Sequence, residues 1–392
     1  MLPDPFAATT RGITEPDPAR AALRAAGPLV EVPAPAGGKA WIVTEEGLAR
    51  EVLSDPRIAK DPALAPADWI PLLAGLEQTA AEQPSLTTLD GPDHTLLRRA
   101  HAPLLSAKRI QAQSGRIHEI ARELLTDLGS GPVDLMDGFS TRFPLTVLLD
   151  LLGIPLDLLD DAVDACRRMS SPEPGAQGKA IAAIAELAAA GLTPDRNGLA
   201  AELRDRVPPG TTENDLRYHL FGLIFAGQLT TDASLGFLFA RLLNGDETPE
   251  DELVRETLRE HPPAPFTLWR FTTTEIDLAG TRLPARSPVL VDIQGINTDP
   301  ARRPGPDLAF GAGAHFCVGA QLAQLELRAA AAVLRTDFPQ ARLAVPHAEL
   351  RQSFLGGIQG TRLVGLPIVL RDRKRSGAAE NRRPGPEGPA TS

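Results

Sequence analysis

At 392 residues with a 43% hydrophobic fraction, the chain has room for one large domain or two ordinary ones with a substantial core. A net charge of −10 argues against general nucleic-acid binding, and two cysteines give no disulfide framework and fit a reducing compartment. The N-terminus lacks a signal-type pattern and no run approaches 18 apolar residues, so no membrane anchor is expected.

After a Pro-rich entry, Pro18 to Ala26 has the pattern of a short helix. Leu29 to Val32 and Ala40 to Val43 read as strands around the turn segment 33–38. Thr44 opens a helix to Leu53 with a capping-box pattern. Residues 57–88 lack periodicity, but Trp69, Ile70, Leu72 and Leu73 form an apolar group there, and long irregular loops are often functional. Pro92 suits the first turn of a helix carrying His94 and Arg98 on one face, where they could clamp a carboxylate or be plain solvated surface. Ile117 to Leu128 and Pro144 to Leu152 are amphipathic, and 170–175 breaks the next pair of helices, near a structural Cys166.

Thr211 to Asn244 is the longest helical signal, opened by Thr212 and Asp215 and stopped by Asn244-Gly245. It is apolar almost all round and is therefore expected to be buried, spanning ~45 Å. At its middle, Phe225-Ala226-Gly227-Gln228-Leu229-Thr230-Thr231 puts a glycine and two threonines where they cost helix stability. That marks a kink or a ligand pocket. Glu256 and Arg259 share a face of the next helix, which Pro262-Pro263 ends. Strand-like segments follow around 271–272, 276–283, 289–293 and 364–370, with a hairpin tip at 354–358.

Before a second long helix, Ala320 to Leu334, stands Phe310-Gly311-Ala312-Gly313-Ala314-His315-Phe316-Cys317-Val318-Gly319. Glycines at this density let backbone approach a ligand closely. A cysteine just before a helix N-terminus has its thiolate favoured by the dipole and free N–H groups. A single thiolate suits haem iron better than zinc or an iron–sulfur cluster, which need several ligands. Without its surroundings, Cys317 would read as an inert core cysteine.

The spacing Phe-Gly-x-Gly-x-His-x-Cys-x-Gly, filled at all six fixed positions, resembles the haem-binding loop of the cytochrome P450 monooxygenases. The resemblance extends in element order over residues 5–370. It implies a mainly α fold with small β-sheets, a triangular helical prism holding haem b (iron protoporphyrin IX) between the long helix and the cysteine loop. A catalytic domain would span 1–371, followed by a disordered tail, 372–392. Cys317 would be the axial ligand, with Phe310 near its sulfur and Gly319 closing the loop. His94, Arg98, Arg270 and His315 would hold the propionates, and Glu256 and Arg259, with Arg302 or Arg303, would lock the core. Thr230 and Thr231 match the threonines that handle oxygen and protons. Trp69, Leu223, Phe225, Ala226, Leu229, Phe266, Thr267, Leu268 and Phe354 would line the substrate pocket. Leu229 departs from the pattern, which has an acid there, leaving protons to water and another group such as Gln228 or Asp232.

The resemblance further implies electron supply by a ferredoxin and its NAD(P)H-dependent reductase, with Arg99, Lys108 and Arg109 either at the docking face or simply surface charge. The activity implied is hydroxylation or epoxidation of a hydrophobic or aromatic secondary metabolite, free or carrier-tethered, in the cytoplasm. Oxidative coupling or cyclisation without oxygen insertion is the alternative that Leu229 raises. A non-catalytic haem sensor or carrier-docking module is a third reading, opposed by the two threonines.

Overall fold

The computed structural model describes residues 2–71, 73–75, 83–169, 173, 175–193 and 196–370. The central helix, Glu213–Leu243, begins where the sequence places it. The Thr212 hydroxyl accepts from Asp215 N–H at 3.1 Å, and the Asp215 carboxylate accepts from Thr212 N–H at 2.9 Å. This reciprocal cap satisfies two of the four donors that a helix start leaves free. By length and composition the helix could cross a membrane, but 67% of its most apolar stretch is buried inside the protein. It packs against helices Arg142–Leu152, Ala176–Gly191 and Ala320–Asp337 in one large apolar cluster that also holds Phe139, Phe143 and Phe239.

A five-stranded sheet forms the other side of the molecule, in the order Leu29–Pro33, Lys39–Val43, Pro288–Val291, Arg270–Thr272, Ile58–Ala59. The Val- and Ile-rich runs suit pleated, buried strands. The edge pair is antiparallel, with Ile58 opposite Thr272 and Ala59 opposite Phe271. Two further apolar clusters cover the sheet, one around Trp69, Phe266 and Trp269 and one around Val43, Val289 and Leu308. Thr9–Gly12, Arg351–Phe354 and Thr361–Leu363 form a separate three-stranded sheet, whose hairpin tip lies at 355–360 as the glycines there indicate. Gly131–Asp134 pairs with Pro367–Leu370.

Helix Pro18–Ala26 matches its sequence boundaries. The next helix, Glu46–Ser54, is capped by Glu45, whose carboxylate accepts from Gly47 and Leu48 N–H, while the Thr44 hydroxyl turns to the Gly27 carbonyl. The strands at Thr9–Gly12, Ile58–Ala59 and Gly131–Asp134 are too short to carry a readable period. The expected break at 170–175 lies largely outside the described residues, as do Leu72 and the C-terminal tail.

Candidate active site

The cysteine loop is shaped by two left-handed glycines, Gly311 at φ +72° and Gly313 at φ +70°. A Cβ on Gly313 would sit 2.6 Å from the Leu53 carbonyl oxygen, so only glycine lets the loop dock on the end of helix Glu46–Ser54. Cys317 N–H donates to the Phe310 carbonyl at 2.9 Å, closing the loop at an exposed cysteine. The protein around that opening raises the thiol above its ordinary value, whereas the Gly319 and Ala320 N–H groups and Arg98 favour the thiolate. The Phe310 ring meets Phe316 at 6.3 Å.

Beside the loop lies a group of basic side chains. Helix Gly91–His101 buries His94, whose ring lies 4.1 Å from that of His315 and whose Nε2 has no partner among the described residues. Burial, then His315 and Arg98, lowers His94 to about 4. His315 Nδ1 meets the Leu86 carbonyl at 3.2 Å and its Nε2 meets Asp90 Oδ1 at 3.0 Å. Both partners are acceptors, so a protonated ring satisfies both, although burial holds the group below its ordinary value. Arg98 donates to the Phe316 carbonyl at 2.6 Å. Arg270 is 4% exposed, with Nε unpartnered and only a 3.4 Å contact from Nη1 to the Ile58 carbonyl.

Sequence reasoning missed Asp90, which braces His315 and accepts Lys60 N–H at 2.5 Å. Burial raises this carboxyl, but its bonds from His315 and Lys60 hold it below the ordinary range. Its place before Pro92 was visible, but a link across 225 residues carries no sequence signal.

The Glu256 carboxylate accepts from Arg259 Nε at 2.7 Å, and Arg259 Nη1 donates to the Asn297 carbonyl at 2.8 Å. Neither arginine expected as the third member is there. Arg302 instead reaches Glu46 at 3.2 Å and the Pro306 carbonyl at 2.7 Å, and Arg303 is exposed. The Gly305 and Pro306 carbonyls hold Arg302 at its own turn, and Asn297 takes over, its Oδ1 accepting Leu308 N–H at 2.9 Å just before the cysteine loop.

On the central helix, the Thr230 hydroxyl donates back to the Ala226 carbonyl at 2.8 Å on an exposed face. Thr231 turns inward and donates to Glu326 Oε2 at 3.1 Å. Glu326 is 1% exposed on helix Ala320–Asp337, and burial raises it to about 8. Gln228 and Asp232 belong to a different buried network, where Asp232 meets Thr141 at 3.2 Å, Gln228 at 3.3 Å and Arg362 at 3.2 Å. A helical step of about 100° per residue sets this pair on the side opposite Thr230.

Three expected pocket residues are core instead. Trp69 packs edge-on against Trp269 at 4.8 Å. Phe266 is 1% exposed, between Phe6 and the Arg20 guanidinium. Phe354 is 4% exposed. Burying such large apolar surfaces is worth more than leaving them on an open wall. Ala226 and Leu268 are exposed, while Leu223, Phe225, Leu229 and Thr267 are half-buried. Thr267 is tied to Val291 by backbone and hydroxyl.

An exposed cysteine, buried unpartnered donors and two arginines, Arg98 and Arg270, with the one carboxylate, Asp90, fit a flat iron-containing group with two carboxylates. The fold and this site define a haem-thiolate oxygenase. No family model matches the chain. It is similar to the cytochrome P-450 monooxygenase DoxA of Streptomyces sp. (strain C5), with 40% identity over 418 residues covering 94% of this chain and 98% of the relative. It is also similar to the vitamin D(3) 25-hydroxylase of Pseudonocardia autotrophica, with 31% identity covering 91% and 94%. Among solved structures, CYP154C4 from Streptomyces sp. ATCC 11861 superposes with a TM-score of 0.79 at 28% identity, covering 94% and 98%. The chain belongs to the cytochrome P450 family and is a monooxygenase that hydroxylates or epoxidises its substrate, using a haem-thiolate cofactor and redox partners.

Proposed function

We propose that the cofactor is haem b, that Cys317 would hold its iron and His94, Arg98, Arg270 and His315 its carboxylates, and that the substrate is a hydrophobic or aromatic molecule. When bound, a haem held by a thiolate would supply cleavage of the O–O bond. One oxygen atom enters the substrate and the other leaves as water, with two electrons and two protons consumed. The observation that carries the substrate reading is the composition of the open side of the central helix. Leu223, Ala226 and Leu229 are apolar there, and Thr230 supplies the hydroxyl. Apolar walls with few polar groups select by shape.

Electrons come singly from a ferredoxin reduced by an NAD(P)H-dependent reductase, in the cytoplasm. The surface charges Arg99 and Lys108 suit the docking of an acidic carrier, whereas Arg109 is occupied by Glu202. Residues 1–371 act as one catalytic domain. Thr230 presents its hydroxyl oxygen on the open face while its proton is held by the Ala226 carbonyl, and Thr231 connects to Glu326 on the buried side.

The test is an optical titration of the ferric protein with aromatic and polyketide-like compounds, followed by turnover under labelled dioxygen. A saturable shift of the Soret band to shorter wavelength and one labelled oxygen in the product are expected. Coupled product without label would overturn the oxygenation reading. Loss of the reduced-CO thiolate band in Cys317→Ala tests the ligand separately.

A further inference from the structure

The edge of the five-stranded sheet brings a second cation to the cofactor side. Ile58 faces Thr272 and Ala59 faces Phe271, and the same register carried one residue on sets Lys60 opposite Arg270. Cross-strand neighbours lie about 5 Å apart on one side of a sheet, and like charges so placed repel. Lys60 forms no side-chain hydrogen bond or ion pair among the described residues, and its backbone N–H already occupies Asp90 Oδ2 at 2.5 Å. The other oxygen of Asp90 belongs to His315. Both oxygens of the one carboxylate in the group are therefore taken in hydrogen bonds, and its charge reaches the Lys60 and Arg270 side chains only through space.

Burial, with repulsion from Arg270 second, lowers the Lys60 ammonium to about 7, and Lys60 in turn disfavours charge on His94 and His315. Its end thus lies within electrostatic reach of three of the four side chains assigned to the cofactor carboxylates. Keeping a half-buried, unpaired ammonium opposite a buried guanidinium is costly unless an anion lies between them. The sheet edge is fixed by the burial of Ile58 and Phe271 at 1% each, so the pair cannot relax apart by a shift of register.

We infer that Lys60 is a further ligand of a cofactor carboxylate, sharing it with Arg270 across the strand pair and bringing the haem edge against the sheet. The inference rests on the haem-thiolate assignment, which the thiolate band of the reduced-CO spectrum checks independently. Lys60 is a positioning residue: it holds the cofactor and touches no reacting atom.

The experiment follows haem loss from the full-length holoprotein to excess apomyoglobin for wild type, Lys60→Gln and Lys60→Arg. Each protein is loaded in parallel with native haem and with haem dimethyl ester, which lacks the carboxylate charges. Lys60→Gln is expected to release native haem about ten-fold faster than wild type, Lys60→Arg to stay within about two-fold, and the ester to leave all three at similar rates. Equal release of native haem from wild type and Lys60→Gln would overturn the inference. Equally accelerated release of both haems from Lys60→Gln would do so as well, because it would mark a general loosening of the edge. Unchanged haem release with a weaker Soret shift by a long-chain fatty acid would assign Lys60 to a substrate carboxylate and likewise overturn it. If Lys60→Gln does not accumulate as holoprotein, Lys60→Met, which keeps the apolar stem and removes the charge, is read in the same way.

Discussion

Glu326 keeps its proton at neutral pH. Burial raises it from an ordinary 4.5 to about 8, against the pull of the Thr231 hydrogen bond. Between those two values the unfolded chain gives up a proton that the folded chain retains. Stability therefore falls as pH rises through that window, by up to about 1.4 kcal/mol per unit. Glu326→Gln keeps an acceptor for Thr231 and removes the titration. Its melting temperature relative to wild type is expected to be higher at pH 8 than at pH 5, measured on the holoproteins, and a pH-independent difference would refute the assignment. The two threonines separate in the same way. Thr230→Val removes a hydroxyl from the open face and is expected to lower product formed per oxygen consumed by at least about ten-fold, the excess appearing as peroxide or water. Thr231→Val, at a position 2% exposed, leaves Glu326 without its donor and acts on the stability profile instead. Matching uncoupling in both variants would contradict this division.

The helices were legible because their signals are local. The capping box at Thr212, the glycine-rich run before Ala320 and the Glu256/Arg259 spacing are each contained within one element and its flanks. What failed depended on contacts between elements. Trp69, Phe266 and Phe354 have the composition of a pocket wall, and only tertiary packing shows that all three are buried, the first two against aromatic neighbours. Arg302 stands where a third lock residue was expected, yet it pairs with Glu46, and the backbone of Asn297 serves instead. This substitution makes a prediction for the lock. Glu256→Ala and Arg259→Ala each break the path from helix Glu250–Glu260 through Asn297 to Leu308, and both are expected to yield protein with most of its haem missing by pyridine haemochrome assay. Arg302→Ala is expected to retain its haem. Haem loss in Arg302→Ala equal to that in Arg259→Ala would restore the arginine as the third member.

Across the whole molecule, the site lies on the seam between the helical cluster and the sheet clusters. The cysteine loop spans that seam: Phe310 and Val318 pack on the helical side and Ala312 on the sheet side. The basic group spans it as well, drawing Lys60 and Arg270 from the sheet edge and His94 and Arg98 from helix Gly91–His101. The cofactor would thus hold together two bodies that have separate cores, and its carboxylates would offset charges that otherwise repel. A ligand bound at 1,000 times its dissociation constant adds about 4 kcal/mol to stability. That stabilisation should be concentrated at the seam, because Leu235, Phe237 and Phe239 of the central helix are buried by apolar neighbours independently of the cofactor. Hydrogen exchange of holo and apo protein tests this distribution. Protection is expected to fall by at least about ten-fold on cofactor removal in 58–60, 86–101 and 308–320, and to change little in 235–240. A uniform loss across all of these segments would mean that the two bodies share one cooperative core. Unchanged protection at the seam would mean that the loop and the basic group are held by protein contacts alone, so that the haem is received by a site already rigid.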